Sequence, residues 1–133
     1  MVRNAMFSRK EISQEEHFSF IKELSKNISK QFFAIYNDGG LIGVIYFTEI
    51  DWELRKATFG IYANLERRIQ RVGNKLMSAT EYIVRKLCIN YLTLQVDSEN
   101  SKAISLYEKW GFVRIERFEK CGRIFFGYKG KLF

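Results

Sequence analysis

The chain has 133 residues and 15.8 kDa, room for a single domain over 1–133, and a 47% hydrophobic fraction rich in Phe and Tyr that excludes a disordered polymer. Its net charge of +7 points to an anionic partner, whether nucleic acid, a membrane surface or a phosphorylated small molecule. The longest apolar run, Leu41–Phe47, falls far short of the ~20 residues that cross a bilayer, and Met1–Lys10 carries no leader pattern, so a cytoplasmic protein without membrane association is expected.

Proline is absent, and Gly and Asn/Asp clusters punctuate the chain. Ser13-Gln14-Glu15-Glu16 reads as a capping box, and His17, Ile21, Leu24 and Ile28 recur behind it at helical spacing, which predicts a helix over about 13–29. Gln31–Tyr36 and Leu41–Phe47 are aromatic and β-branched and flank Asn37-Asp38-Gly39-Gly40, whose residues tolerate the positive φ of tight turns; together they predict a β-hairpin. A charged turn at Asp51–Lys56 leads to a third strand, Ala57–Ala63. The basic stretch Asn64–Val72 then enters a second helix with the stripe Leu76, Thr80, Ile83, Leu87.

Tyr91–Val96 alternates as a strand, and the polar loop Asp97–Asn100 is placed to cap a short helix over Ser101–Lys109 that Gly111 terminates. Phe112–Glu119 and Arg123–Tyr128 close the chain as a hairpin around Cys121-Gly122. This order describes a mixed α/β sheet covered by helices. Cys88 and Cys121 form no CxxC and stand near no histidine pair, so neither a metal site nor a disulfide is expected, and both are expected as buried packing residues.

The loop and helix start from Ile61 to Lys75 point unpaired N–H groups and the positive helix end at one spot, which suits a phosphate; a solvated basic loop is the alternative from this segment alone. Together with Glu99–Phe112 it resembles the GNAT family of acetyl-coenzyme A dependent N-acetyltransferases. Gln70-Arg71-Val72-Gly73-Asn74-Lys75 keeps the Gln and central Gly of the family's phosphate loop, with Lys75 at its last small position and Arg71 where Gly is common. Asn100, Ala103, Tyr107 and Gly111-Phe112 match its other signature. The resemblance implies the GNAT fold, a mixed and mostly antiparallel sheet flanked by helices. A narrower resemblance, over Met6–Phe20, Leu41–Thr48 and Phe59–Asn64, is to the branch acetylating a UDP-linked 4-amino-4,6-dideoxy sugar in pseudaminic acid synthesis. In that branch a strand precedes the segment that Arg3-Asn4 resembles, so an N-terminally shortened fold is expected, with Gln31–Tyr36 left as a sheet edge that would favour pairing in a homodimer.

The resemblance implies direct attack of a neutral amine on the thioester of acetyl-CoA. Ile61, Tyr62 and Ala63 would hold the pantetheine arm and face the oxyanion, while Arg68, Gln70 and the backbone of Arg71, Val72, Gly73, Asn74 and Lys75 would take the pyrophosphate. Asn100 would bond the pantetheine amide beside Ala103, and Tyr107 would protonate the departing thiolate, unless it is an amphipathic core aromatic. Glu49 would drain the ammonium proton, or is an ordinary strand-end carboxylate. His17 would contact a small-molecule amine acceptor, a nucleotide-linked amino sugar, with Met6, Phe7, Phe20 and Tyr62 as its apolar wall or as core. Protein N-termini and polyamines are competing acceptors. A nucleic-acid module built on Arg67, Arg68, Arg71, Lys75, Arg85 and Lys86 lacks a recognition motif, and a degenerate fold that binds the cofactor without catalysis stays open.

Overall fold

The computed structural model describes residues 3–7, 19–24 and 29–132, the first two segments by backbone and register. Among the described residues, eight strands form one sheet in the order β1-β2-β3-β4-β5-β6-β8-β7. They are β1 (Arg3–Phe7), β2 (Ser19–Leu24), β3 (Gln31–Asn37), β4 (Gly40–Asp51), β5 (Lys56–Ala63), β6 (Tyr91–Asp97), β7 (Val113–Lys120) and β8 (Arg123–Gly130), with helices α1 (Val72–Leu87) and α2 (Ser101–Lys109). Strands β3 to β8 form the six-stranded mixed sheet expected from the sequence, and β5–β6 is the parallel pair among antiparallel neighbours.

Period-two patterning explains the sheet. Ile45 and Phe47 of β4 and Phe59 of β5 are buried on one face, where Phe33 meets Phe47 edge-on with ring centroids 6.0 Å apart. Helix α1 covers that face with Leu76, Met77, Ala79, Thr80, Ile83 and Val84, the Leu, Met, Ile and Val side chains each contributing ~1.5–3 kcal/mol of burial. The Thr80 hydroxyl is satisfied within the helix by donating to the Leu76 carbonyl at 2.8 Å. Close approach depends on Gly43, where a Cβ would lie 2.6 Å from the Tyr62 carbonyl oxygen and 2.8 Å from a Leu76 methyl.

The β3–β4 turn uses Gly40 at φ +117°, and Asn37 Oδ1 accepts from the Gly39 N–H at 3.0 Å and from the Arg67 guanidinium at 3.1 Å. Arg67 also donates to the Leu41 carbonyl at 3.1 Å, so this base ties the β5–α1 loop to the hairpin. Gly111 ends α2 at φ +93°, as its position after the helix predicts.

Three expectations are corrected. Ser19–Leu24, expected within a helix over 13–29, is strand β2; its alternate side is spoken for by antiparallel pairing with β3, and the helical spacing of His17, Ile21, Leu24 and Ile28 is outweighed by that tertiary contact. The remainder of that stretch, 13–18 and 25–28, lies outside the described residues. Because β2 pairs with β3 from Ser19↔Tyr36 to Glu23↔Phe32, Gln31–Tyr36 is an interior strand, and the edge expected to promote a homodimer is covered. Cys88 and Cys121 are exposed: they take left-handed conformations, φ +58° at the α1 C-cap and +52° in the β7–β8 turn, positions set by chain reversal and not by packing.

Candidate active site

Strands β5 and β6 pair over only three residues, Lys56–Thr58 with Tyr91–Thr93, the last rung marked by Thr58 and Thr93 hydroxyls 3.1 Å apart. Beyond it β5 stays with β4 and β6 stays with β8, so the two strands diverge. The divergence opens a cleft of about 690 Å³ through the sheet, walled by Gly60–Ala63 on one side and Gln95–Asp97 on the other. On these facing edges the outward backbone groups have no ladder partner among the described residues; the Asp97 carbonyl accepts from the Asn100 N–H at 2.9 Å, and the rest of the edge is left to bond an extended, amide-bearing ligand.

At one end the cleft meets the start of α1. Arg71, the N-cap, sits at φ +54°, ψ +37° with no side-chain cap, and the first turn contains no acidic residue. The N–H groups of Val72, Gly73 and Asn74 therefore face outward with the positive helix end, as an anion requires. The left-handed conformation of Arg71 is one that a glycine adopts without strain, in keeping with the glycine that the family resemblance implies at this position. Gly73 has a packing reason as well, since a Cβ there would lie 2.9 Å from a Leu106 methyl of α2. The Lys75 N–H is already spent on the Arg71 carbonyl at 3.0 Å, which removes it from the set of amides expected to bind pyrophosphate.

The other wall is α2. Asn100 is its N-cap, accepting from the Ala103 N–H at 3.2 Å through Oδ1, which leaves Nδ2 as a donor toward the cleft it lines. The helices are fastened by Trp110 Nε1 donating to Asn74 Oδ1 at 3.0 Å. Two turns on from Asn100, Tyr107 lines the cleft while only 6% exposed, its ring held edge-on to Phe59 at 6.0 Å and against Phe112. Burial, with a smaller contribution from neighbouring Tyr46, pushes its phenol up to about 12, so it stays protonated throughout the neutral range.

Of the residues expected at the site, Ile61, Tyr62, Ala63, Arg71, Val72, Gly73, Asn74, Asn100, Ala103 and Tyr107 line this one cleft. Arg68 and Gln70 are exposed on the preceding loop, and Lys75 lies one turn inside α1; none of the three forms its wall. Glu49 is exposed at φ +50° in a bulge where β4 shifts register between Thr48 and Asp51, also off the cleft. Phe7 pairs with Phe20 and Met6 with Ile21; Phe20 begins a row through Ile35 and Gly43 to Ala63, which places it three strands, ~14 Å, from the cleft edge. His17 lies outside the described residues.

The cleft also contains Tyr46, which the sequence places within the strand Leu41–Phe47 without marking it for the site. It faces away from α1, in a row with Phe32 (stacked, 5.9 Å) and Tyr62 (6.0 Å), and crosses β5 above Gly60. The signal for it, an aromatic residue opposite a glycine across the β4–β5 hairpin, is displaced by one residue in the sequence because of the bulge between Thr48 and Asp51.

Residues 3–112 match the model of the acetyltransferase (GNAT) family. The chain is 35% identical over 107 residues to the protein named Acetyltransferase PseH of Campylobacter jejuni strain 81-176, covering 80% of this chain and 66% of that one. It is 31% identical over 107 residues to the spermidine N(1)-acetyltransferase of Vibrio cholerae, covering 77% and 62%. Among solved structures, the Vibrio cholerae spermidine N-acetyltransferase in complex with CoA and spermine superposes with a TM-score of 0.72 at 22% identity, over 80% of this chain and 68% of that one. The chain thus spans just under two thirds of the length of these curated relatives. With the family model covering most of its length and the splayed β5–β6 cleft in place, the chain belongs to the GNAT acetyltransferase family.

Proposed function

We propose that this protein transfers the acetyl group of acetyl-CoA to the amino group of a nucleotide-linked amino sugar. The observation that carries the reading is the single cleft joining free helix-start amides at Val72–Asn74 to the buried, protonated Tyr107 phenol. The phosphates would lie at the α1 start and the pantetheine arm would add to the β5 edge. The thioester would then be brought to Tyr107, which gives its proton to sulfur as the amine forms the new C–N bond. Acetyl-CoA as donor implies a cytoplasmic site of action.

Charge and the similarity to PseH support this acceptor class. Among the described residues walling the cleft, Arg71 and Lys102 are cationic, and the one carboxylate, Asp97, is paired with Arg123 at 2.9 Å. That lining, with a net charge of +7, favours an anionic acceptor over a polycation. Polyamines are the second reading, supported by the 31% identity to a spermidine acetyltransferase. The test is thiol release from acetyl-CoA with a UDP-linked 4-amino-4,6-dideoxy sugar and with spermidine in parallel. Turnover of the sugar with at least tenfold higher kcat/KM is expected; preferential turnover of spermidine would overturn the acceptor assignment.

A further inference from the structure

The helix face and the open face of the sheet enter the cleft with different chemistry. From the α1/α2 side come Gly73, Leu106 and Tyr107; from the opposite side come Tyr46, Gly60 and Tyr62. Tyr46 pairs with Gly60 across β4 and β5, and a Cβ on residue 60 would collide with the ring and hydroxyl of Tyr46. The missing side chain is what lets the phenol cross β5 and end in the cleft. Its ring is fixed by Phe32 and Tyr62, while among the described residues its hydroxyl has no hydrogen-bond partner. A rigid ring carrying an unpartnered hydroxyl into the cleft is arranged for a ligand group.

We propose that Tyr46 is a second catalytic phenol, which receives the acceptor amine from the open face and relays its proton toward Tyr107. The proposal rests on the acetyl-transfer reading above. The amine N–H donates to the Tyr46 oxygen and its lone pair is aimed at the acetyl carbon. As the C–N bond forms and the C–S bond breaks, Tyr107 gives its hydroxyl proton to sulfur. The nitrogen then loses a proton to Tyr46 while Tyr46 passes its own to Tyr107, so both phenols end neutral and the products are the amide and the free thiol. That Tyr46 raises the Tyr107 pKa is consistent with the two groups sensing each other. The other charged groups lining the cleft are Arg71 at the α1 start, Asp97 on β6 and Lys102 on α2.

The test is Tyr46→Phe, which keeps the ring and its stacking and removes only the oxygen. The expected result is a kcat lowered at least tenfold, with KM for acetyl-CoA within twofold of the parent and an unchanged melting temperature. Because the two phenols act as one unit, Tyr46→Phe combined with Tyr107→Phe should be no slower than Tyr107→Phe alone. A kcat within twofold of the parent, or losses that multiply, would overturn the relay. If the parent protein acetylates neither the sugar nucleotide nor spermidine, the proposed function fails on its own. In that case ultraviolet titration decides the phenol pair: a Tyr107 transition unmoved by Tyr46→Phe refutes the coupling, and one moved to lower pH retains it.

Discussion

Replacing Tyr107 by Phe separates its chemistry from its packing. The ring sits between Phe59 and Phe112 and is nearly fully buried, so Phe retains the apolar contacts; among the described residues the hydroxyl makes no hydrogen bond that the change would break. Below pH 10 the variant should melt at or slightly above the parent temperature. Its kcat should fall ~10²–10⁴-fold, or ~3–5 kcal/mol of transition-state stabilisation, while KM for acetyl-CoA stays near the parent value. The alkaline behaviour supplies an independent arm. A phenol raised from 10.0 to about 12 by burial holds its proton more tightly folded than unfolded, a difference of ~3 kcal/mol. That stabilisation is complete below pH 10 and is lost as the pH rises through about 12. The parent should therefore lose stability across this window more steeply than Tyr107→Phe, and its kcat should show no alkaline decline from this group up to pH 10. Urea unfolding at pH 8 and above 10, alongside initial rates, reads both arms. A kcat within threefold of the parent would refute the acid role, and parallel alkaline stability curves would refute the buried phenol.

Gly43→Ala places a methyl 2.6 Å from a β5 carbonyl that cannot yield without opening the β4–β5 ladder, so it should cost ~1–3 kcal/mol and lower the melting temperature by several degrees; an unchanged circular-dichroism melt would contradict the close α1 approach. Asn100→Ala removes the α2 N-cap and the Nδ2 donor together, predicting ~1 kcal/mol of lost stability and a KM for acetyl-CoA raised severalfold. Asn100→Asp keeps the cap acceptor without the donor, so it should restore the melt and leave KM high; restoration of both would argue against a ligand contact.

Much of this architecture is legible in the residues because its signals are local. The Asn37–Gly40 turn, the stripe Leu76, Thr80, Ile83, and the Asn100 cap each follow from chemistry within a few positions, and they bring Gly73, Asn100 and Tyr107 to one cleft. What escaped depends on distant partners. Ser19–Leu24 satisfies a helical spacing by coincidence and becomes a strand because β3 offers it a ladder. Tyr46 escaped for a subtler reason. Counting back from the Asp51↔Lys56 pair places it opposite Ile61, but the bulge at Glu49 shifts the register by one and puts it opposite Gly60. A one-residue slip reverses which face each side chain occupies, so the route of Tyr46 into the cleft was hidden by a left-handed glutamate. The cysteines escaped because composition predicts burial, whereas their positions are set by turn geometry at φ +58° and +52°.

The most direct measurement is calorimetric titration of the protein with acetyl-CoA and, in parallel, with S-acetyl-pantetheine, which lacks the nucleotide and its phosphates. Binding of one acetyl-CoA per chain at micromolar concentration, weakened at least tenfold for the phosphate-free analogue, is the outcome predicted by a cleft joining the α1 start to the β5 edge. Absence of heat up to millimolar acetyl-CoA, or equal affinity for both ligands, would contradict the assignment of this cleft as the cofactor site.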